Sequence, residues 1–218
     1  MDWDGLLKLM PAFLDGTWVS LKLFFITLLL ALPLGILIMN GRRSKHKIIC
    51  APIAVFQWVI RGTPLMLQLV FVMYFPSIVL GLQGMDRFFA ACVAFVVNYA
   101  AYFSEIYRSG IESIPVGQYE ASKVLGLSKG RTFFRIILPQ TVKRILPSMG
   151  NEFMTLVKDT ALASIIGNIE LLRVATTQMN RSASMVPLLA AGVFYLLMNG
   201  VVQLAMGRAE KKLSYYKG

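Results

Sequence analysis

Four ionisable side chains, Glu105, Glu152, Lys158 and Asp159, sit inside stretches otherwise dominated by apolar residues. A Lys or Asp at the centre of a membrane-crossing helix costs roughly 2.5–3.5 kcal/mol, so such residues carry a functional hypothesis by default. Glu152 and Asp159 are seven apart and fall on nearly the same helix face. Asn151 and Lys158 repeat that spacing on the adjacent strip, and Thr155 lies between. One polar stripe thus holds both signs of charge. That suits a zwitterion, which needs a cation for its carboxylate and an anion for its ammonium. The excess of acids over bases favours a ligand with a cationic or polar side chain. The competing reading is structural: a Lys158–carboxylate pair that locks helices together.

Other chemistry has little to build on. The single histidine, His46, lies in the basic run Arg42-Arg43-Ser44-Lys45-His46-Lys47, where a solvated charge cluster is expected rather than a metal site. Cys50 and Cys92 form no motif and read as core or lipid-facing thiols. An enzyme would need a nucleophile–base pair or a metal cluster, and neither is present. The chain has no Gly-rich phosphate loop, so it does not hydrolyse ATP itself. No cofactor or metal is expected in it.

The elements that must position the stripe are membrane helices. Hydrophobic types make up 56% of the 218 residues, and mean hydropathy is +0.64. Apolar runs at 23–39, 65–82, 88–103 and 185–206 approach the roughly 20 residues that cross a bilayer core. We read an all-α transmembrane fold in a single domain, 1–218. Five spans are expected, at about 17–39, 55–79, 86–109, 141–167 and 186–206, with Arg61-Gly62-Thr63-Pro64 breaking the second. The start, Met1-Asp2-Trp3-Asp4, is acidic, so the first span is expected to direct insertion without a cleavable leader. A net charge of +11 would suggest nucleic acid in a soluble protein, but here the charge follows the positive-inside pattern. Fifteen basic residues lie in the segments after the first and third spans and in the tail, against four on the opposite side. That bias predicts the N-terminus outside, the C-terminus cytoplasmic, and no nucleic-acid partner. A secondary transporter would more often show an inverted repeat and more spans; neither is visible.

Residues 110–140 are too long for a simple turn and too polar to span. Pro115 suits a helix start, Gly126 a left-handed helix end, Ser128 a cap, and Pro139 the start of a further element. The pattern predicts two short amphipathic helices over 115–138, suited to a partner's groove or to the lipid interface.

Here the sequence resembles a known family. Glu120-Ala121-Ser122, Gly126 and Ile137-Leu138-Pro139 resemble the EAA coupling motif of ABC importer permeases, with Ser122 where the family usually has Ala. Arg61-Gly62-Thr63-Pro64-Leu65, Tyr99-Ala100-Ala101-Tyr102-Phe103-Ser104-Glu105, Ser113-Ile114-Pro115, Gly150-Asn151-Glu152-Phe153 and Leu156-Val157-Lys158-Asp159-Thr160 resemble the polar-amino-acid subfamily, in order. The resemblance implies a five-helix type I importer permease in the cytoplasmic membrane. It implies a separate ATPase that carries ATP and magnesium and docks on the coupling helices. A second permease copy or a homologous permease, an extracytoplasmic substrate-binding protein and surrounding lipid complete the expected partners. It also implies an amino-acid substrate bound by the fourth span, with Glu105 as the contribution of the third. Arg61 is left open between a structural role and lining the substrate path.

Overall fold

The computed structural model describes residues 3–213, and every regular element among them is helical. Met1, Asp2 and the tail residue Lys217 lie outside the described residues. α1 (Trp3–Arg42) is one helix of 40 residues, about 60 Å long at 1.5 Å per residue. It starts well before residue 17, where its apolar stretch begins. The reason is tertiary. Phe13 is fully buried with Leu171, Ala175 and Ala191, and a Cβ on Gly16 would come within 3.0 Å of the Leu171 backbone. Packing therefore recruits a stretch that hydropathy alone leaves outside the span.

α2 (Lys47–Gly62) and α3 (Leu65–Ile78) are bent by 109° at the expected break. Pro64 has no N–H and pushes Thr63 into the extended region, at φ −119° and ψ 146°. A broken helix in a bilayer leaves carbonyls that must find partners. Gln68 supplies them: its Nε2 donates to Ile60 O at 2.8 Å, Thr63 O at 3.1 Å and Thr63 Oγ1 at 2.9 Å. Asn98 Nδ2 donates to Gln68 Oε1 at 3.0 Å and ties the break to the next helix.

That helix, α4 (Arg87–Glu112), is the centre of the bundle. Asp86 caps it by accepting from Phe89 N, and Ala90, Ala91, Ala94, Phe95, Ala100, Ala101 and Phe103 are buried along it. Small residues let α1 approach closely. A Cβ on Gly35 would stand 3.2 Å from both Ala100 O and Ser104 N. Two short helices follow, α5 (Val116–Val124) and α6 (Lys129–Thr132), then a π-helical turn (Phe133–Ile137) leading into α7 (Leu138–Asp159). A 3₁₀ segment (Thr160–Ile166) ends at Gly167, whose φ of +86° is left-handed. Asn168 Nδ2 donates to Arg87 O at 3.0 Å and fixes this turn to the start of α4.

α8 (Leu171–Ser182) and α9 (Val186–Leu213) complete the chain. α8 is a helix that the span pattern does not foresee, because it is amphipathic rather than apolar. Its cap, Glu170, is fully buried and accepts from Leu172 N at 2.7 Å, Arg173 N at 2.6 Å and Tyr195 Oη at 3.0 Å. By length and composition α1, α4 and α9 can each cross a membrane, and the bent α2–α3 pair raises the number to four. α7, which holds most of the fourth expected span, is not apolar enough to join them. It carries Lys143, Arg144, Glu152, Lys158 and Asp159.

Candidate functional site

α7 brings its polar residues to two different cavities. One, of about 310 Å³, lies between α7, α4 and the α2–α3 break, and is lined by Glu152, Thr155, Asp159, Tyr99, Tyr102 and Asn98. Thr63, Pro64 and Leu65 close its third side. The other, of about 550 Å³, lies between α7 and α9 and is lined by Asn151, Thr155, Lys158, Tyr195 and Asn199. The division follows from helix geometry. One residue turns the helix by about 100°, so Asn151 and Lys158 point well away from Glu152 and Asp159. Thr155 is three residues after Glu152 and four after Asn151, so it touches both cavities.

The stripe is therefore not one surface. Lys158 is exposed and forms no ion pair among the described residues, so the structure does not contain the Lys158–carboxylate lock. Glu152 and Asp159 are half-buried and likewise make no ion pair among the described residues. Asp159 Oδ2 accepts from Tyr99 Oη at 2.8 Å, and Tyr99 is itself buried in the core. Two carboxylates thus share one face, with the hydroxyls of Thr155, Tyr99 and Tyr102 and the amide of Asn98 around them.

Glu105 is not brought to that cavity. It lines a third one, of about 430 Å³, with Arg42, Gln57, Trp58, Arg61 and Arg108. Arg108 holds it with Nη2 at 2.5 Å and Nε at 3.0 Å, and also pairs with Glu112. Arg61 Nη1 stands 4.0 Å from the same carboxylate. The physical reason is again local: Arg108 is one turn on from Glu105 and competes for it first.

Tyr99, Tyr102, Asn98 and Thr63 were not among the residues that spacing singled out. The signal was available: Asn98 and Tyr102 are four apart inside an apolar helix, so their polar atoms share a face and need partners there.

In the loop segment α5 stands as a separate short helix, whereas α6 runs on through the π-helical turn into α7. α5 ends in a Schellman arrangement, with Leu127 N donating to Ser122 O and Gly126 N to Lys123 O, both at 3.0 Å. Gly126 takes the left-handed position at φ +69°. Ser128 Oγ accepts from Arg131 N and caps α6, and Pro139 sits in the first turn of α7. Glu120, Ala121, Gly126 and Pro139 are not buried, whereas Ser122 is. Its hydroxyl donates to Gln118 O at 2.6 Å, so Ser in place of Ala leaves no unsatisfied group. Around the turn Val116, Val124, Leu125 and Phe134 stand exposed by 69%, 87%, 75% and 67%. His46 is exposed as expected, and Cys50 bonds locally with Arg42.

Comparison with known proteins agrees with this architecture. The family described as binding-protein-dependent transport system inner membrane component matches residues 31–215. The chain is 34% identical over 214 residues to the arginine transport system permease protein ArtQ of Bacillus subtilis (strain 168), covering 98% of this chain and 97% of ArtQ. It is 34% identical over 209 residues to the L-cystine transport system permease protein TcyB of the same organism, covering 94% and 88%. A crystal structure of an amino acid ABC transporter with histidines superposes with a TM-score of 0.88 at 30% identity, over 97% of this chain and 99% of that one. An inward-facing MetNI methionine ABC transporter, at 19% identity and a TM-score of 0.77, covering 98% of this chain and 99% of that one, shares the fold. The chain belongs to the binding-protein-dependent transport system inner membrane components and is a multi-pass permease subunit of an ABC importer, not itself an enzyme.

Proposed function

We propose that this subunit carries an amino acid with a cationic or polar side chain into the cell through the cavity lined by Glu152 and Asp159. The observation that carries the reading is that pair of half-buried carboxylates with no ion-pair partner among the described residues. Carboxylates kept charged at membrane depth are costly, and a cationic substrate offsets that cost. The relatives' names, which include arginine, glutamine and cystine permeases, point to the same substrate class.

Energy comes from a separate ATPase, which binds ATP and magnesium and docks on residues 115–138. The exposed apolar knob of Val124, Leu125 and Phe134 suits a hydrophobic groove with a charged rim. The asymmetry of basic residues favours this segment and the C-terminus in the cytoplasm, with the N-terminus outside. α7 crosses the membrane despite its charges, with its acidic face turned to α4 and its Asn151–Lys158 face to the cavity beside α9. Two copies, or this chain and a homologous permease, frame the path, and an external binding protein delivers the substrate. Closure of the ATPases moves α5 and α6 and alternates access to the cavity.

The substrate class is tested by uptake into proteoliposomes holding the permease, its ATPase and its binding protein. Unlabelled arginine, lysine, histidine, glutamine, cystine and glutamate compete against each labelled amino acid in turn. Cationic or uncharged polar amino acids are expected to compete by at least about tenfold over glutamate, the equivalent of about 1.4 kcal/mol. Preferential uptake of glutamate would contradict the reading.

A further inference from the structure

A free amino acid carries a carboxylate, and the acidic cavity supplies no charge to receive it. Desolvating an unpaired carboxylate is costly, and a nearby cation offsets that cost. Lys158 opens on the other side of α7. Arg108 is engaged by Glu105 and Glu112. Arg42 donates to Cys50 Sγ at 2.8 Å. Arg61 remains, and it sits at the boundary of the acidic cavity. Its guanidinium lies over the Tyr102 ring, 5.5 Å from the centroid, and Tyr102 lines that cavity. Arg61 is also near enough to Glu152 to act on it electrostatically.

We propose that Arg61 is the cation that receives the carboxylate of the transported amino acid, an inference that rests on the substrate class proposed above. At rest the guanidinium is loosely held. It makes no hydrogen bond among the described residues, and its one carboxylate contact is the 4.0 Å approach to a Glu105 already gripped by Arg108. Tyr102 is the platform along which the fork turns between Glu105 and the cavity. The helix break makes this possible: Arg61 is in the last turn of α2, and Thr63, Pro64 and Leu65, just beyond it, line the cavity. Arg suits the task because its planar fork matches a carboxylate with two parallel hydrogen bonds, which Lys cannot reproduce. The zwitterion is thereby held between α2 on one side and α7 on the other, and its release follows relative movement of the two helices.

The test uses the permease–ATPase complex in lipid nanodiscs without the binding protein, so that recognition by the binding protein does not enter. Equilibrium binding is measured for three pairs that differ by the carboxylate: arginine and agmatine, lysine and cadaverine, histidine and histamine. In the wild type the amino acid of the transported pair is expected to bind more tightly than its amine. Arg61→Met is expected to weaken the amino acid by roughly tenfold or more and leave the amine unchanged. Arg61→Lys is expected to recover part of the difference. A wild-type ratio of amino acid to amine in Arg61→Met overturns the inference, and so does a wild-type ratio in Arg61→Gln should the Met variant fail to assemble. If the ratio persists in these variants while Glu152→Gln abolishes binding, the acidic-cavity reading stands and only the role of Arg61 falls. Binding by the wild type of none of the six compounds, nor of glutamine or cystine, overturns both.

Discussion

Changing Glu152 and Asp159 together to Gln and Asn is expected to lower uptake by on the order of 100-fold while the complex assembles and melts at an equal or higher temperature. Each charge-assisted contact to a cationic group contributes about 1.5–3 kcal/mol, so losing two reaches this size. The stability half of the expectation separates function from structure. Neither carboxylate forms an ion pair among the described residues, and the amides remove the repulsion between two half-buried like charges. The amide of Asp159→Asn would keep an oxygen to accept from the Tyr99 hydroxyl, which now bonds Asp159 at 2.8 Å. Residues whose removal stabilises a protein and abolishes its activity are held there for the activity. Uptake in liposomes and thermal unfolding of the purified complex read the two halves. Retained uptake, or a collapsed complex, would count against the assignment.

The second large effect is at Gly126. Gly126→Val is expected to abolish stimulation of ATP hydrolysis by the loaded binding protein, with insertion of the permease unchanged. A β-branched residue at φ +69° costs about 1–3 kcal/mol in backbone strain, enough to unwind the Schellman turn that aims α5 against α6. A Cβ there would meet nothing within 4 Å, so the penalty is purely conformational. Gly126→Asn, which tolerates the left-handed region, is therefore expected to retain most of the stimulation. ATPase assays in liposomes check both variants. Wild-type stimulation by the Val variant would remove residues 115–138 from the coupling path.

The two sites were legible to different degrees, for physical reasons. Gly126, Ser128 and Pro139 act through their own backbone or the next few residues, so their roles can be read locally. The same holds for the break at Pro64, although the partner that satisfies it, Gln68, depends on side-chain geometry. The α7 stripe was legible as polar but not as two faces. Spacing relates residues on one helix, whereas the neighbours decide which face opens where. Lys158 thus faces α9 while the acids face α4. Glu105 lies one turn before Arg108, so their pairing is contained in the spacing, whereas the cavity they share with Arg61 is set by the packing of α2 on α4. α8 was hidden because it is held by Glu170 and by packing on Phe13, not by an apolar run.

The central claim is that substrate occupies the α4 side of α7. It is tested most directly by substrate protection of single cysteines in a background where Cys50 and Cys92 are replaced. Leu162→Cys lies on the acidic cavity and Lys158→Cys on the opposite side of the helix. Both are labelled with a small thiol reagent in the permease–ATPase complex, with and without a saturating transported amino acid. The account predicts that the amino acid slows labelling at position 162 several-fold and leaves position 158 unchanged. Protection of position 158 with none at 162 would contradict it.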